Sequence, residues 1–259
     1  MNWMIGGELL LSHSLGAFAL LGLGFVFGLK HATEVDHVVA VSAIVSEHRN
    51  ILRSALVGGL WGVGHTASLV LVGGVVLGLR NNIPERVSNW LEFCVALMII
   101  GLGTTALVHA LRRRTEVHIH QHSHDSVAHV HLHFHERGTA HTPSKVASHS
   151  HAVSRLGFKP ILVGAMHGLA GSAGLSLLVL TQMKSAALGL LYLAIFGIGS
   201  ILGMLLMSGL IGLPFALSAR RLSGFGYGLQ TIAGVLSIVV GLWYAYQTSI
   251  ASGLWKTIL

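Results

Sequence analysis

Apolar residues along this chain gather into long uncharged runs, and polar residues are confined to short connectors and one long segment. Six runs reach the roughly 20 residues that an α-helix needs to cross a hydrocarbon core. They are about Leu15 to Ile44, Ser54 to Leu79, Trp90 to Leu111, Pro160 to Met183, Ala186 to Leu213 and Leu229 to Tyr246. The pattern predicts an all-α polytopic membrane protein with about six transmembrane helices. The first run is longer than a bilayer requires, so it is expected to tilt, bend or break around Gly22, Gly24 and Gly28. A seventh span arises only if that run is a hairpin of two half-spans.

The polar segment after the third run divides the chain into a first three-span half, 1–111, a loop, 112–157, and a second three-span half, 158–259. Three is odd, so the two halves would face opposite ways across the bilayer, the arrangement of inverted repeats. The only echo between them is a His three residues after a Gly: Gly28-Leu29-Lys30-His31 opens one half and Gly164-Ala165-Met166-His167 the other. With Lys30 set aside, eleven Lys and Arg fall on the side of Arg49, Arg53, the long loop and Arg220-Arg221. Four fall on the other side: Arg80, Arg86, Lys184 and Lys256. The basic excess predicts that the long loop is cytoplasmic and both termini external, in a cell (inner) membrane. Trp90, Trp243, Tyr244 and Tyr246 fit interfacial anchors or packing.

Composition agrees: 53% of the 259 residues are apolar, 10% are charged, and mean hydropathy is +0.72. The formal charge of +7 does not argue for nucleic acid, because the basic residues sit in connectors as topology signals do. A single cysteine, Cys94, excludes an intramolecular disulfide or a thiolate cluster. No basic n-region precedes the first apolar run, so no cleavable signal peptide is expected.

Against this background one stretch stands out. Lys30-His31-Ala32-Thr33-Glu34-Val35-Asp36-His37 places five ionisable groups in eight residues of the first span. Lys30 and Asp36 would each cost about 2.5–3.5 kcal/mol near the centre of a membrane helix, and such residues mark function by default. In a regular helix His31, Glu34 and His37 lie roughly 60° apart on one stripe. Asp36 then faces another span or acts from behind the ligands, unless local unwinding brings it in. Lys30 and Glu34 are spaced i, i+4, so Lys30 can neutralise the carboxylate when the site is empty. Imidazole nitrogen with carboxylate oxygen and no thiolate suits Ni(II), Co(II) or Zn(II) better than Cu(I) or the oxygen-seeking Ca(II) and Mg(II). His65, in Gly62-Val63-Gly64-His65-Thr66, either completes this site or hydrogen-bonds across a helix interface. His167, amid the small residues of Gly164 to Gly174, is either packing or a further point on the metal path.

The stretch Lys30 to Val38 resembles the signature of the nickel/cobalt transporters, a basic residue followed by His-Ala-x-Asp-Ala-Asp-His-Ile in an early transmembrane helix. It has Lys for Arg and Glu34 for the first Asp. Gly64-His65-Thr66 is similar to that family's Leu-Gly-His-Ser motif, and His167-Gly-Leu-Ala-Gly-Ser-Ala resembles its six-span, urease-accessory-type branch of nickel permeases. The resemblance implies that His31, Glu34, Asp36, His37 and His65 recognise the metal.

The long loop carries eleven of the 18 histidines. His118, His120, His122 and His124 alternate, as do His129, His131, His133 and His135, so an extended chain sets each group on one side as an auxiliary metal binder. The segment is too polar and irregular to pack on its own. There is neither a phosphate-binding Gly-x-x-x-x-Gly-Lys-Ser/Thr loop nor a His-Glu-x-x-His pair, and no catalytic residue is assigned. The expectation is a permease, not an enzyme, moving Ni(II) or Co(II) as substrate, with uptake favoured over efflux. A membrane-anchored metal sensor is the lesser alternative. The lipid bilayer and the divalent ion are its partners; an energising partner or a cytoplasmic metal acceptor leaves no mark in the sequence.

Overall fold

The computed structural model describes the backbone of residues 18–48, 50–79, 83–114, 117–124, 127–134, 158–182, 185–221 and 223–252, and their side chains outside 113–134, 172–182 and 219–225. Both termini, Arg49, Arg80 and His135 therefore lie outside the described residues.

The helices are α1 (Phe18–His31), α2 (Val35–Val45), α3 (Ile51–Leu79), α4 (Glu85–Arg114), α5 (Phe158–Gln182), α6 (Ala186–Arg221) and α7 (Ser223–Tyr246), the last running into a π-helical turn at Gln247–Ala251. Among the described residues α3, α4, α6 and α7 are each long and apolar enough to cross a membrane, and α1 with α2 makes a fifth span bent by 51°. The fourth expected span coincides with the 25-residue α5, whose side chains beyond Gly171 lie outside the described residues. α6 continues through Pro214 to Arg221 and so outruns the span expected to end at Leu213. Membrane helices tolerate such a proline where neighbouring groups satisfy the freed carbonyl.

The break in the first span falls at Ala32–Glu34 and not at Gly22, Gly24 or Gly28. Two of those glycines serve packing. A Cβ on Gly28 would run into the Phe196 carbonyl and the Ser200 amide, and one on Gly24 would touch the Tyr192 ring. The break is a tightened turn: Thr33 and Glu34 donate their amides to the Lys30 and His31 carbonyls, and the Thr33 hydroxyl donates to the Lys30 carbonyl at 2.6 Å. Glu34 is extended, with φ −65° and ψ 148°, and its carbonyl accepts the first bond of α2, from Val38.

α3 lies between α5 and α6, α4 pairs with α7, and α2 packs against α4, α6 and α7. The close approaches come in matched pairs. Gly64 of α3 abuts the Ile161 carbonyl of α5, and Gly164 of α5 abuts the Trp61 carbonyl of α3. Gly199 of α6 abuts the Phe25 carbonyl of α1, and Gly28 of α1 abuts that of Phe196. Gly103 of α4 and Gly234 of α7 abut each other's carbonyls. The buried core is centred on Trp61, Val41, Ile99 and Met204, while Leu71, Leu79, Leu206 and Leu210 face outward, as lipid contact requires.

The polar segment after α4 does pair with itself. Strands β1 (Val117–His124) and β2 (Val127–Phe134) form an antiparallel ribbon with His118 opposite His133, His120 opposite His131 and His122 opposite His129.

Candidate metal centre

The break decides which side chains meet. In a continuous helix Asp36 would turn away from His31 and His37; instead the 51° bend brings it inward at the first turn of α2. Its Oδ1 lies 3.1 Å from His37 Nδ1, and its Oδ2 lies 2.8 Å from His167 Nε2 on α5. Glu34 goes the other way. Its side chain is 54% exposed, and its one described partner is His31 Nδ1 at 3.0 Å. No Lys30–Glu34 ion pair forms among the described residues, so the expected i, i+4 neutralisation is replaced by this His31 contact.

His31 comes from the end of α1, His37 from α2, His65 from α3 and His167 from α5. Gly168 makes the convergence possible, since a Cβ there would strike the His65 carbonyl and the Ser68 hydroxyl. The ring centroid of His31 is 4.5 Å from that of His37 and 5.1 Å from that of His65, and the His37 and His167 centroids are 4.0 Å apart. Trp61, one turn before His65 and fully buried, lies nearly parallel to the His37 ring. His37, His65 and His167 are at most 2% exposed. Two groups have ligand atoms all within 4.8 Å of one another: His31, His37 and His65, and Asp36, His37 and His167. They share His37.

The hydrogen-bond accounting of these rings is incomplete in a consistent way. His37 Nε2, His65 Nδ1 and His167 Nδ1 are buried and have no partner among the described residues. An unsatisfied buried polar atom costs about 1–3 kcal/mol. His31 Nε2 and His65 Nε2 face each other at 3.2 Å. With metal–nitrogen bonds of about 2.0–2.1 Å, two nitrogens on one ion at right to tetrahedral angles lie about 2.8–3.4 Å apart. The His31–His65 pair therefore has the spacing of two nitrogens on one ion, the candidate ligand atoms of each group lie within 4.8 Å of one another, and three buried ring nitrogens lack a hydrogen-bond partner among the described residues.

Sequence reasoning named His31, Glu34, Asp36, His37, His65 and His167, and the structure brings all six together, with Glu34 at the edge. It missed Trp61, whose one signal is its place four residues before His65. It also missed two acidic groups outside the cluster. Glu92 accepts hydrogen bonds from Ser88 and Tyr244. Glu47 meets His109 Nδ1 at 2.5 Å in a cavity of about 330 Å³ that Lys159 also lines. The loop histidines enter only through their backbone register.

Residues 17–224 match the NicO family, described as high-affinity nickel-transport protein. The chain is 37% identical to the urease accessory protein UreH of Bacillus sp. (strain TB-90) over 238 residues, 92% of this chain and 95% of that protein. Two Arabidopsis thaliana proteins are more distant. Chloroplast protein FOR GROWTH AND FERTILITY 1 is 24% identical over 85% of this chain and 56% of its own length; FOR GROWTH AND FERTILITY 2 is 26% identical over 78% and 48%. The chain thus spans about half the length of these plant relatives. No solved structure matches it. With its apolar helices, its broken first span and a match that takes in His31, Asp36, His37, His65 and His167, this chain is a membrane protein of the NicO nickel-transport family.

Proposed function

We propose that the chain is a permease for Ni(II), accepting Co(II), whose substrate binds at the buried imidazole cluster and moves inward. The observation that carries this reading is the set of unpartnered imidazole nitrogens around His37. If His31 Nδ1–H donates to Glu34, its Nε2 holds a free lone pair; if His37 Nδ1–H donates to Asp36, the same follows for its Nε2. His167 Nε2–H donating to the other Asp36 oxygen frees Nδ1 in turn. Metal-binding histidines are commonly oriented by a carboxylate in this way. His31, His37 and His65 are then the ligands, Glu34 and Asp36 fix the rings, and His167 offers the ion a second position reached through the shared His37. Neutral imidazole suits nickel and cobalt alike.

Six spans in two inverted halves, 1–111 and 158–259, fit this reading. Exchanging the halves maps the α3–α5 glycine contacts onto those of α6–α1 and the α4–α7 contact onto itself. Alternating access is the rocking of such halves about a midplane site. The basic excess favours a cytoplasmic 112–157 loop with both termini outside. In the ribbon the backbone register sets His118 opposite His133, His120 opposite His131 and His122 opposite His129. The ribbon serves as a weak auxiliary store for metal that has crossed.

Cells expressing the chain, compared with cells expressing His31→Ala, test function and direction through accumulation of radiolabelled nickel. Greater accumulation with the wild type alone supports uptake through this site. Lower accumulation than in empty cells makes the protein an exporter, and equal accumulation in the two strains removes His31 from the path.

A further inference from the structure

The matched contacts run deeper than helix pairing, and they single out a residue with no assigned role. From Phe25 to Ile161 and from Gly28 to Gly164 the step is 136 residues; from Trp61 to Phe196 and from Gly64 to Gly199 it is 135. The same steps carry the Thr66–Gly197 contact onto Ile201–Gly62, and Ala32–Gly203 onto Gly168–Ser68. They also carry His31 onto His167. The segment Gly62-Val63-Gly64-His65 falls on Gly197-Ile198-Gly199-Ser200.

Ser200 is thus the counterpart of His65. It is fully buried in α6, and its hydroxyl has no partner among the described residues. Buried Ser54 and Ser237 return their proton to the carbonyl four residues back, at 3.1 and 2.8 Å, whereas Ser200, like Ser208, does not. One turn before Ser200, the Phe196 ring lies 5.5 Å from the His31 ring. Ser200 therefore belongs to the α6 face that packs on the His31 turn, and its hydroxyl is left over there.

We propose that the Ser200 hydroxyl faces the transported divalent cation, giving the second half an oxygen donor where the first half has the His65 imidazole. The inference rests on the permease reading and would make Ser200 a determinant of selectivity among nickel, cobalt and zinc, since exchanging nitrogen for oxygen changes how strongly each is held.

A thiol at position 200 tests it. In purified protein with Cys94→Ser, the added change Ser200→Cys should give an intense thiolate-to-cobalt charge-transfer absorption on loading with Co(II). The parent and a Ser208→Cys control should not; Ser208 is equally buried and unpartnered but maps onto Gly73. Cobalt binding without that absorption, in a protein whose binding His65→Ala abolishes, overturns the role of Ser200 and leaves the metal centre standing. Unchanged cobalt binding in His65→Ala overturns both. Should Ser200→Cys not fold, Ser200→Ala is the second variant: the nickel-to-cobalt affinity ratio is expected to shift several-fold while Ser208→Ala keeps it, and an unchanged ratio refutes the proposal.

Discussion

Asp36 and Glu34 are two residues apart yet have different surroundings, and that difference can be measured. Asp36 holds two imidazoles from two helices, His37 and His167, and its side chain is 25% exposed. Glu34 holds His31 alone and is half exposed. Loss of a group that orients a metal ligand lowers affinity by about 10–100-fold. Asp36→Asn is therefore expected near the upper end of that range, and Glu34→Gln at or below the lower end, in nickel titration calorimetry of the purified protein. Equal losses would mean that Glu34 acts as a ligand in its own right. At this scale the candidate ligands were legible in the sequence, because ionisable residues in an apolar run declare themselves. Their pairing was not, because helical spacing sets Asp36 off the stripe and only the break restores it.

The helices were legible from uninterrupted apolar runs, whereas the position of the break was not. Ala32-Thr33-Glu34 holds neither Gly nor Pro, and the turn is fixed by the Thr33 hydroxyl and by α6 packed against Ala32 at Gly203. Two of the three glycines that suggested flexibility, Gly24 and Gly28, are contact points. Gly168→Val should abolish nickel transport while leaving the protein inserted in the membrane, because the added carbons force α3 and α5 apart at His65. Gly22→Ala, which meets nothing within 4 Å, should leave transport intact and change stability by no more than about 1 kcal/mol in the stabilising direction. Uptake assays paired with thermal unfolding in detergent separate the two. The ribbon escaped the sequence reading because alternating histidines look polar and irregular until strand pairing gives them partners across the ladder. Deleting 117–134 is expected to preserve nickel transport and to lower the metal bound per molecule, counted by equilibrium dialysis; loss of transport would make the ribbon part of the path.

In the molecule as a whole, the proposed division into two halves sets most of the chemistry in the first. His31, His37 and His65 lie on the first half's helices with Asp36, and His167 is the second half's one imidazole in the cluster. On the proposed permease reading, the two groups that share His37 would offer an ion two neighbouring positions. The sequence hinted at this through Gly28-x-x-His31 and Gly164-x-x-His167, but two matched residues do not define a symmetry. The reciprocal backbone contacts that support the proposed repeat depend on how helices cross. On the permease reading, nickel crosses through the imidazole cluster around His37. The most direct test is radiolabelled nickel entering liposomes that hold the purified protein and no other. Wild-type vesicles should fill well above protein-free vesicles, and His37→Ala vesicles should stay at the protein-free level. Filling of the His37→Ala vesicles at the wild-type rate would contradict the account.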